Sequence, residues 1–358
     1  MPVVPNLRRG ALALFLCLAG CTPGVGPQRL DLDQMGYADA LGEGLKRQML
    51  LNMVRLRYAD VPTFLSVSQL IAGYQLQATG QLGLNAYPNA APGNYATVGG
   101  TVQYTNRPTF TFTPVTGQRF AQSYLRPLAP AELLSLAQSG APVDLLFRLG
   151  VQSVNGLPNG ATQDGQAQAA SGGFLALMHA LRTIQAAGAV SLRFERGPGG
   201  TSGGASGGAR VFLQLGGNRG PAGEAARQVR RLLGLPPGAR ELEVVYGRQP
   251  RGPGQMAVLT RSVLQMLYEL GAQIEVSPAD VARGETRPTD PGERLIRVRQ
   301  GDRAPADAYA AVEYRGRAFW IEAGDYASKG AFTFVHVLQV LAESGQGQPT
   351  PIVTIPAQ

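Results

Sequence analysis

Cysteine is almost missing from this chain. Cys17 and Cys21 stand close to its start and none follows, so no disulfide and no cysteine-ligated metal can hold the body together. Histidine is limited to His179 and His336, each in a helical apolar pattern without a second ligand at metal spacing such as i+4. Both read as helix residues satisfied locally, and no metal site is expected. Lysine is limited to Lys46 and Lys329, so the formal charge of +8 is carried almost entirely by arginine. Those arginines are scattered, with no aromatic-interleaved basic stripe, which speaks against a nucleic-acid partner. The most unusual absence is local: from Val61 to Asn106 there is no Asp, Glu, Lys or Arg, in a chain that is 16% charged overall.

What is present begins with an address. Arg8 and Arg9 precede an apolar run from Ala11 to Leu18, and Leu18-Ala19-Gly20-Cys21 closes it with two small residues before a cysteine. The run is too short to cross a bilayer, which needs about 20 apolar residues. This pattern resembles the lipobox of bacterial lipoproteins. The resemblance implies cleavage before Cys21, loss of residues 1–20 and an acylated Cys21 as the new N-terminus. Each buried CH₂ of the acyl chains contributes about 0.8 kcal/mol, so several chains hold the protein at a membrane surface. In that family an Asp after the cysteine retains the protein at the inner membrane. Thr22 stands there, which implies the outer membrane, periplasmic face.

Residues 21–36 are rich in Gly, Pro and isolated acids and read as a flexible tether. From Tyr37 to Tyr58 the residues Leu41, Leu45, Met49, Met53 and Leu56 recur at helical spacing, predicting an amphipathic helix. Inside the charge-free stretch Tyr74, Leu76, Ala78, Gly80, Leu82 and Leu84 alternate with polar residues, and Ala96, Val98, Gly100, Val102 and Tyr104 repeat the pattern. The segment Ala86–Asn94, with Pro88, Asn89, Pro92 and Gly93, is a loop able to join the two as an antiparallel pair. Phe110 and Phe112 alternate with threonines after Asn106-Arg107-Pro108.

The rest mixes helices and strands. Helices are expected over Ala131–Ser139, Phe174–Ala187, Ala222–Leu233, Met256–Leu270 and Ser328–Ser344, with a further start at Ser277. Strands are expected over Val190–Phe194, Val211–Leu215, Glu241–Tyr246, Gln273–Val276 and Pro351–Ile355, and a hairpin turns at Arg315-Gly316-Arg317. Residues 143–157 are ambiguous between helix and strand. The expected class is α+β: an N-terminal amphipathic helix, a hairpin-rich first half (37–157), a linker or long loop (158–173), and helices on a mostly antiparallel sheet (174–358), with the halves possibly continuous.

No assembled active site is legible. Gly200-Thr201-Ser202-Gly203-Gly204 has the letters of a nucleophile elbow but leads into a strand. Gly216-Gly217-Asn218-Arg219-Gly220 joins a strand to a helix without dinucleotide or Walker spacing. Glu313, Glu322 and Asp325 could form an acid/base pair, although Asp325 and Ser328 equally suit a helix N-terminus beside Lys329. No catalytic, cofactor or metal residue is expected.

Asn52-Met53-Val54-Arg55-Leu56-Arg57-Tyr58, Arg107-Pro108-Thr109-Phe110-Thr111-Phe112-Thr113-Pro114, Val151-Gln152-Ser153-Val154-Asn155-Gly156 and Phe319-Trp320-Ile321-Glu322 together resemble a family of uncharacterised proteobacterial lipoproteins. The likeness implies the location and nothing mechanistic. Three readings follow. The first is a non-catalytic accessory or scaffold subunit of an envelope assembly, with the bilayer, envelope proteins or further copies of itself as partners. The second is an oligomeric outer-membrane pore to which residues 74–104 of each subunit contribute a hairpin. The third is an envelope hydrolase using Glu322 or Asp325.

Overall fold

A computed structural model describes residues 27–85, 95–163, 166–196, 209–217, 219–289 and 294–344. The lipobox residues Leu18, Ala19, Gly20 and Cys21, the loop 86–94, the Gly/Ser segment 197–208 with its elbow-like letters, and the expected closing strand 351–355 lie outside the described residues. The architecture is mixed α+β. The chain divides into two compact units, each built from discontinuous segments: one from residues up to Asp60, Gly160–Ala170 and Leu267–His336, the other from Val61–Asn159, Ser171–Met266 and Val337 onward.

The first unit opens with helix α1, Pro27–Arg57. It starts well before Tyr37, inside the stretch expected as tether, with a proline at the first position, where the missing N–H costs nothing. Its burial grows toward the C-terminal end, where Leu50, Met53 and Val54 are fully enclosed and Met49 nearly so. Full burial of such a side chain contributes about 1.5–3 kcal/mol. A three-stranded antiparallel sheet completes this core, in the order of Arg299–Gly301, Arg317–Ile321 and Ala310–Tyr314. The hairpin between the last two turns at Arg315 and Gly316, φ 50° and 73°, the left-handed pair that a two-residue turn of the favoured hand requires.

The second unit is organised on a six-stranded sheet. Its strands, in spatial order, are Leu157–Pro158, Val151–Val154, Gln255–Thr260, Glu241–Tyr246, Ala209–Leu215 and Val190–Arg196. Every neighbouring pair is antiparallel except Glu241–Tyr246 with Gln255–Thr260. The helix Gly172–Ala186 presents Phe174, Leu177, Met178, Leu181 and Ile184 to the core, and Ser171 caps it by accepting from the Phe174 N–H at 3.1 Å. The ambiguous stretch is both things in turn: helix over Val143–Gly150, then strand from Val151.

Two expectations are corrected. The helix predicted over Met256–Leu270 is a strand, Gln255–Thr260, followed by a helix, Val263–Gly271. Met256, Ala257 and Val258 are all buried because the strand lies inside the sheet and hides both faces, so its apolar run is continuous and mimics a helix. The boundary is a capping box: the Ser262 hydroxyl accepts from the Gln265 N–H at 3.3 Å, and the Gln265 side chain accepts from the Ser262 N–H at 3.0 Å. The strand expected over Gln273–Val276 is not formed: the Gln273 and Ile274 N–H groups turn back to Leu270 O and Gly271 O, each at 3.1 Å, and the Glu275 N–H donates to Val298 O at 2.9 Å.

The same unit carries a two-stranded ribbon, β1 (Leu65–Asn85) and β2 (Tyr95–Pro114), of 21 and 20 residues. It includes both predicted alternating runs and also the Phe110/Phe112 segment, which continues β2 rather than forming a separate strand. Proline at 108 is tolerated because each strand of a two-stranded ribbon has a free edge.

Candidate functional site

The ribbon is the feature around which a function can be built. Register runs one-to-one from Gln69↔Thr111 to Asn85↔Tyr95, with a single irregularity between Val67 and Gln69. At about 3.3 Å per residue each strand is about 65 Å long. Among the described residues neither strand pairs with any other. Among the described residues the outer edges of both strands therefore face no further strand.

The pleat sorts the upper half of the ribbon into two faces. Leu76, Ala78, Gly80, Leu82 and Leu84 share a face with Ala96, Val98, Gly100, Val102 and Tyr104. Gln77, Thr79, Gln81 and Gly83 share the other with Thr97, Gly99, Thr101 and Gln103. On that polar face all are exposed except the half-exposed Gly83. Rungs match type with type: Gln77 opposite Gln103, Thr79 opposite Thr101, Leu82 opposite Val98. Gly83 has a specific reason to be glycine. A Cβ there would lie 2.5 Å from the Thr97 hydroxyl, which donates instead to the Gly83 carbonyl at 3.3 Å.

The base of the ribbon is fastened to its own unit. The Val115 N–H donates to Phe64 O at 2.9 Å, closing one rung below the strands. The Phe64 ring lies 3.9 Å, centroid to centroid, from that of Tyr124, which also stacks on Phe120 at 5.5 Å. Tyr124 is 2% exposed; its hydroxyl accepts from Gln339 Nε2 at 2.9 Å and donates to Glu343 Oε1 at 3.2 Å. Burial, reinforced by the Glu343 carboxylate, pushes this phenol well above its ordinary pKa. Gln339 and Glu343 stand on the helix Tyr326–Ser344.

Asp325, Glu322 and Lys329 are engaged in local contacts. Asp325 caps that same helix: its carboxylate accepts from the Ser328 N–H at 3.0 Å and the Ser328 hydroxyl at 2.7 Å. Burial would raise its pKa, but these bonds outweigh it and hold the group below the usual value. Glu322 is exposed and ion-paired with Arg299 at 2.7 Å, Glu313 is exposed, and Lys329 donates to Ala323 O at 2.6 Å. His179 is exposed on its helix and His336 half-buried on another; among the described residues no three His, Cys, Asp or Glu cluster to hold a metal. In the glycine-rich turn before the helix Gly220–Leu232, the Gly216 N–H is already bonded to Ala189 O at 2.7 Å.

Cavities also occur among the described residues. The first unit holds one of about 290 Å³ beside Arg57 and Arg287, and the second holds one of about 430 Å³ among Leu134, Phe147, Leu181 and Leu213. Neither is lined by Glu313, Glu322 or Asp325. Arg57, 7% exposed, donates to Arg287 O at 2.6 Å and tethers that loop to the end of α1. Among the described residues no helix is long and apolar enough to cross a membrane. Compared with known protein families, with curated proteins and with solved structures, the chain matches none.

Proposed function

We propose that this chain is a lipid-anchored protein of the bacterial outer membrane that assembles with copies of itself, each ribbon giving two strands to a shared β-barrel pore. One observation carries the reading: a long ribbon with two open edges, whose upper half alternates apolar and polar without a charge. In water a lone two-stranded ribbon is marginal at best. In lipid every unpaired backbone group costs several kcal/mol, so the edges have to be closed by other strands. Identical ribbons side by side close them all.

The dimensions agree. From the rung Leu76↔Tyr104 to the rung Asn85↔Tyr95 each strand has ten residues, and a tilted membrane strand needs about 9–11. Tyr104, on the apolar face, stands at one end of this section, where a girdle aromatic belongs. Acylation at Cys21 supplies the membrane attachment, with the remaining body on the periplasmic side. No catalytic residue is needed.

The accessory or scaffold reading keeps one observation of its own. The lower ribbon, Leu65–Gly73 with Arg107–Pro114, extends beyond the membrane-length section and exposes Phe112 to 57%. That exposed ring would instead meet another envelope protein.

The test is native mass and single-channel recording on the full acylated chain extracted in mild detergent. A homo-oligomer with stepwise conductance supports the pore. A monomer, or a complex with other envelope proteins that does not conduct, replaces it with the accessory reading.

A further inference from the structure

The ribbon contains one charged residue. β1 has none, β2 has Arg107, and neither strand has an Asp or Glu that could neutralise it. Arg107 is opposite Gly73, so no side chain shares its rung. Its register position is on the face of Thr101 and Gln103, because register is unbroken between them and they differ by even steps. It lies three rungs beyond the Leu76↔Tyr104 rung, about 10 Å outside the membrane-length section.

Resting on the pore reading, we infer that assembly turns Arg107 into a ring at one mouth of the conduit and that this ring makes the conduit select small anions. In a barrel with two strands per copy, neighbouring Arg107 positions are two strand spacings apart, about 10 Å. That equals the Debye length of about 10 Å at 0.1 M salt, so the charges act together rather than singly. Rings of Arg or Lys are the usual device of anion pores. The rest of the polar face cannot offset it: Gln77, Thr79, Gln81, Thr97, Thr101 and Gln103 are exposed, hydrogen-bonding and uncharged. Such a wall lets hydrated solutes of either sign pass and leaves the choice to the mouth. The solute class is small inorganic or carboxylate anions, admitted without a deep binding site.

The experiment is the reversal potential of the reconstituted full chain across a KCl gradient, with native mass checked for each variant. The wild-type protein is expected to favour chloride over potassium by about three- to tenfold at low salt, weakening as salt screens the ring. Arg107→Gln should bring the ratio to about one, and Arg107→Glu should invert it, at unchanged native mass. Arg119→Gln, outside the ribbon, should change nothing. Conductance with no anion preference, or a preference that survives Arg107→Gln, overturns this inference and leaves the pore standing. A chain that never conducts removes the pore and its selectivity together.

Discussion

The phenol of Tyr58 donates to the carboxylate of Asp280 at 2.7 Å, 222 positions away along the chain, and Gln300 Nε2 donates to both, at 3.1 and 3.2 Å. Three segments of the first unit meet at this point, with Tyr58 and Asp280 buried and Gln300 half-buried. Burial would raise the Asp280 carboxyl, but bonds from Tyr58, Gln300 and Ser277 and the Arg283 charge hold it below its ordinary pKa. Burial first, then Asp280, pushes the Tyr58 phenol far up. A depressed carboxylate adds stability that is present above its unfolded pKa of about 3.9 and lost as pH falls through the lower folded value. A raised phenol adds stability that is present below about pH 10 and lost above it. Tyr58→Phe should therefore cost about 1–3 kcal/mol in urea unfolding at neutral pH and shrink the acid loss. An unchanged midpoint would show that the trio contributes nothing.

Leu82 and Gln81 are neighbours on opposite faces of the ribbon. In the proposed barrel Leu82→Arg would place a charge toward lipid near mid-membrane, at about 2–4 kcal/mol per copy, whereas Gln81→Arg would face water. Native mass in detergent should show loss of the oligomer for the first and its survival for the second. Equal behaviour of the two variants would mean that neither face meets lipid.

Tyr124 joins the base of the ribbon to the helix Tyr326–Ser344 through Gln339 and Glu343. Tyr124→Phe keeps the ring stack on Phe64 and removes the hydroxyl, leaving two half-buried polar groups to find other partners. A loss of about 1–2 kcal/mol is expected. Faster amide exchange at Val115 and in the rungs next to it would locate the effect; uniform exchange across the unit would contradict it.

Cys21→Ser removes the thiol to which the lipid would be attached. The variant should leave the membrane fraction for the periplasmic one, since about 0.8 kcal/mol per buried CH₂ is withdrawn with every chain. Retention in membranes at the wild-type level would assign attachment to the ribbon alone.

The sequence made local periodicity legible and long-range pairing illegible. The alternation around Leu76 and Val98 announced the ribbon, and Arg315-Gly316 announced a hairpin, because in both cases the partner is nearby. The extension of β2 past Pro108 was hidden, since proline ordinarily ends a strand and only a free edge excuses it. Met256–Val258 was misread because a strand buried on both faces loses its period, although Ser262-x-x-Gln265 marked the helix start. The sheet order depends on one parallel pair joined through 247–254, for which no pattern exists. Of the candidate residues, Asp325 kept the capping role its spacing with Ser328 foretold, while the place of Arg107 on the polar face became visible only through register.

The interleaving of the two units also sets a timetable. A chain emerging amino end first presents β1 and β2 early, and pairing between segments so near in sequence forms quickly. The first unit cannot close until Leu267–His336 has followed, because Tyr58 waits for Asp280 and Gln300. For that interval an open-edged ribbon with Arg107 as its single charge would exist beside an unfinished body, the condition under which strands stick to one another indiscriminately. The interval before Leu267–His336 has followed is thus when this protein most needs an escort.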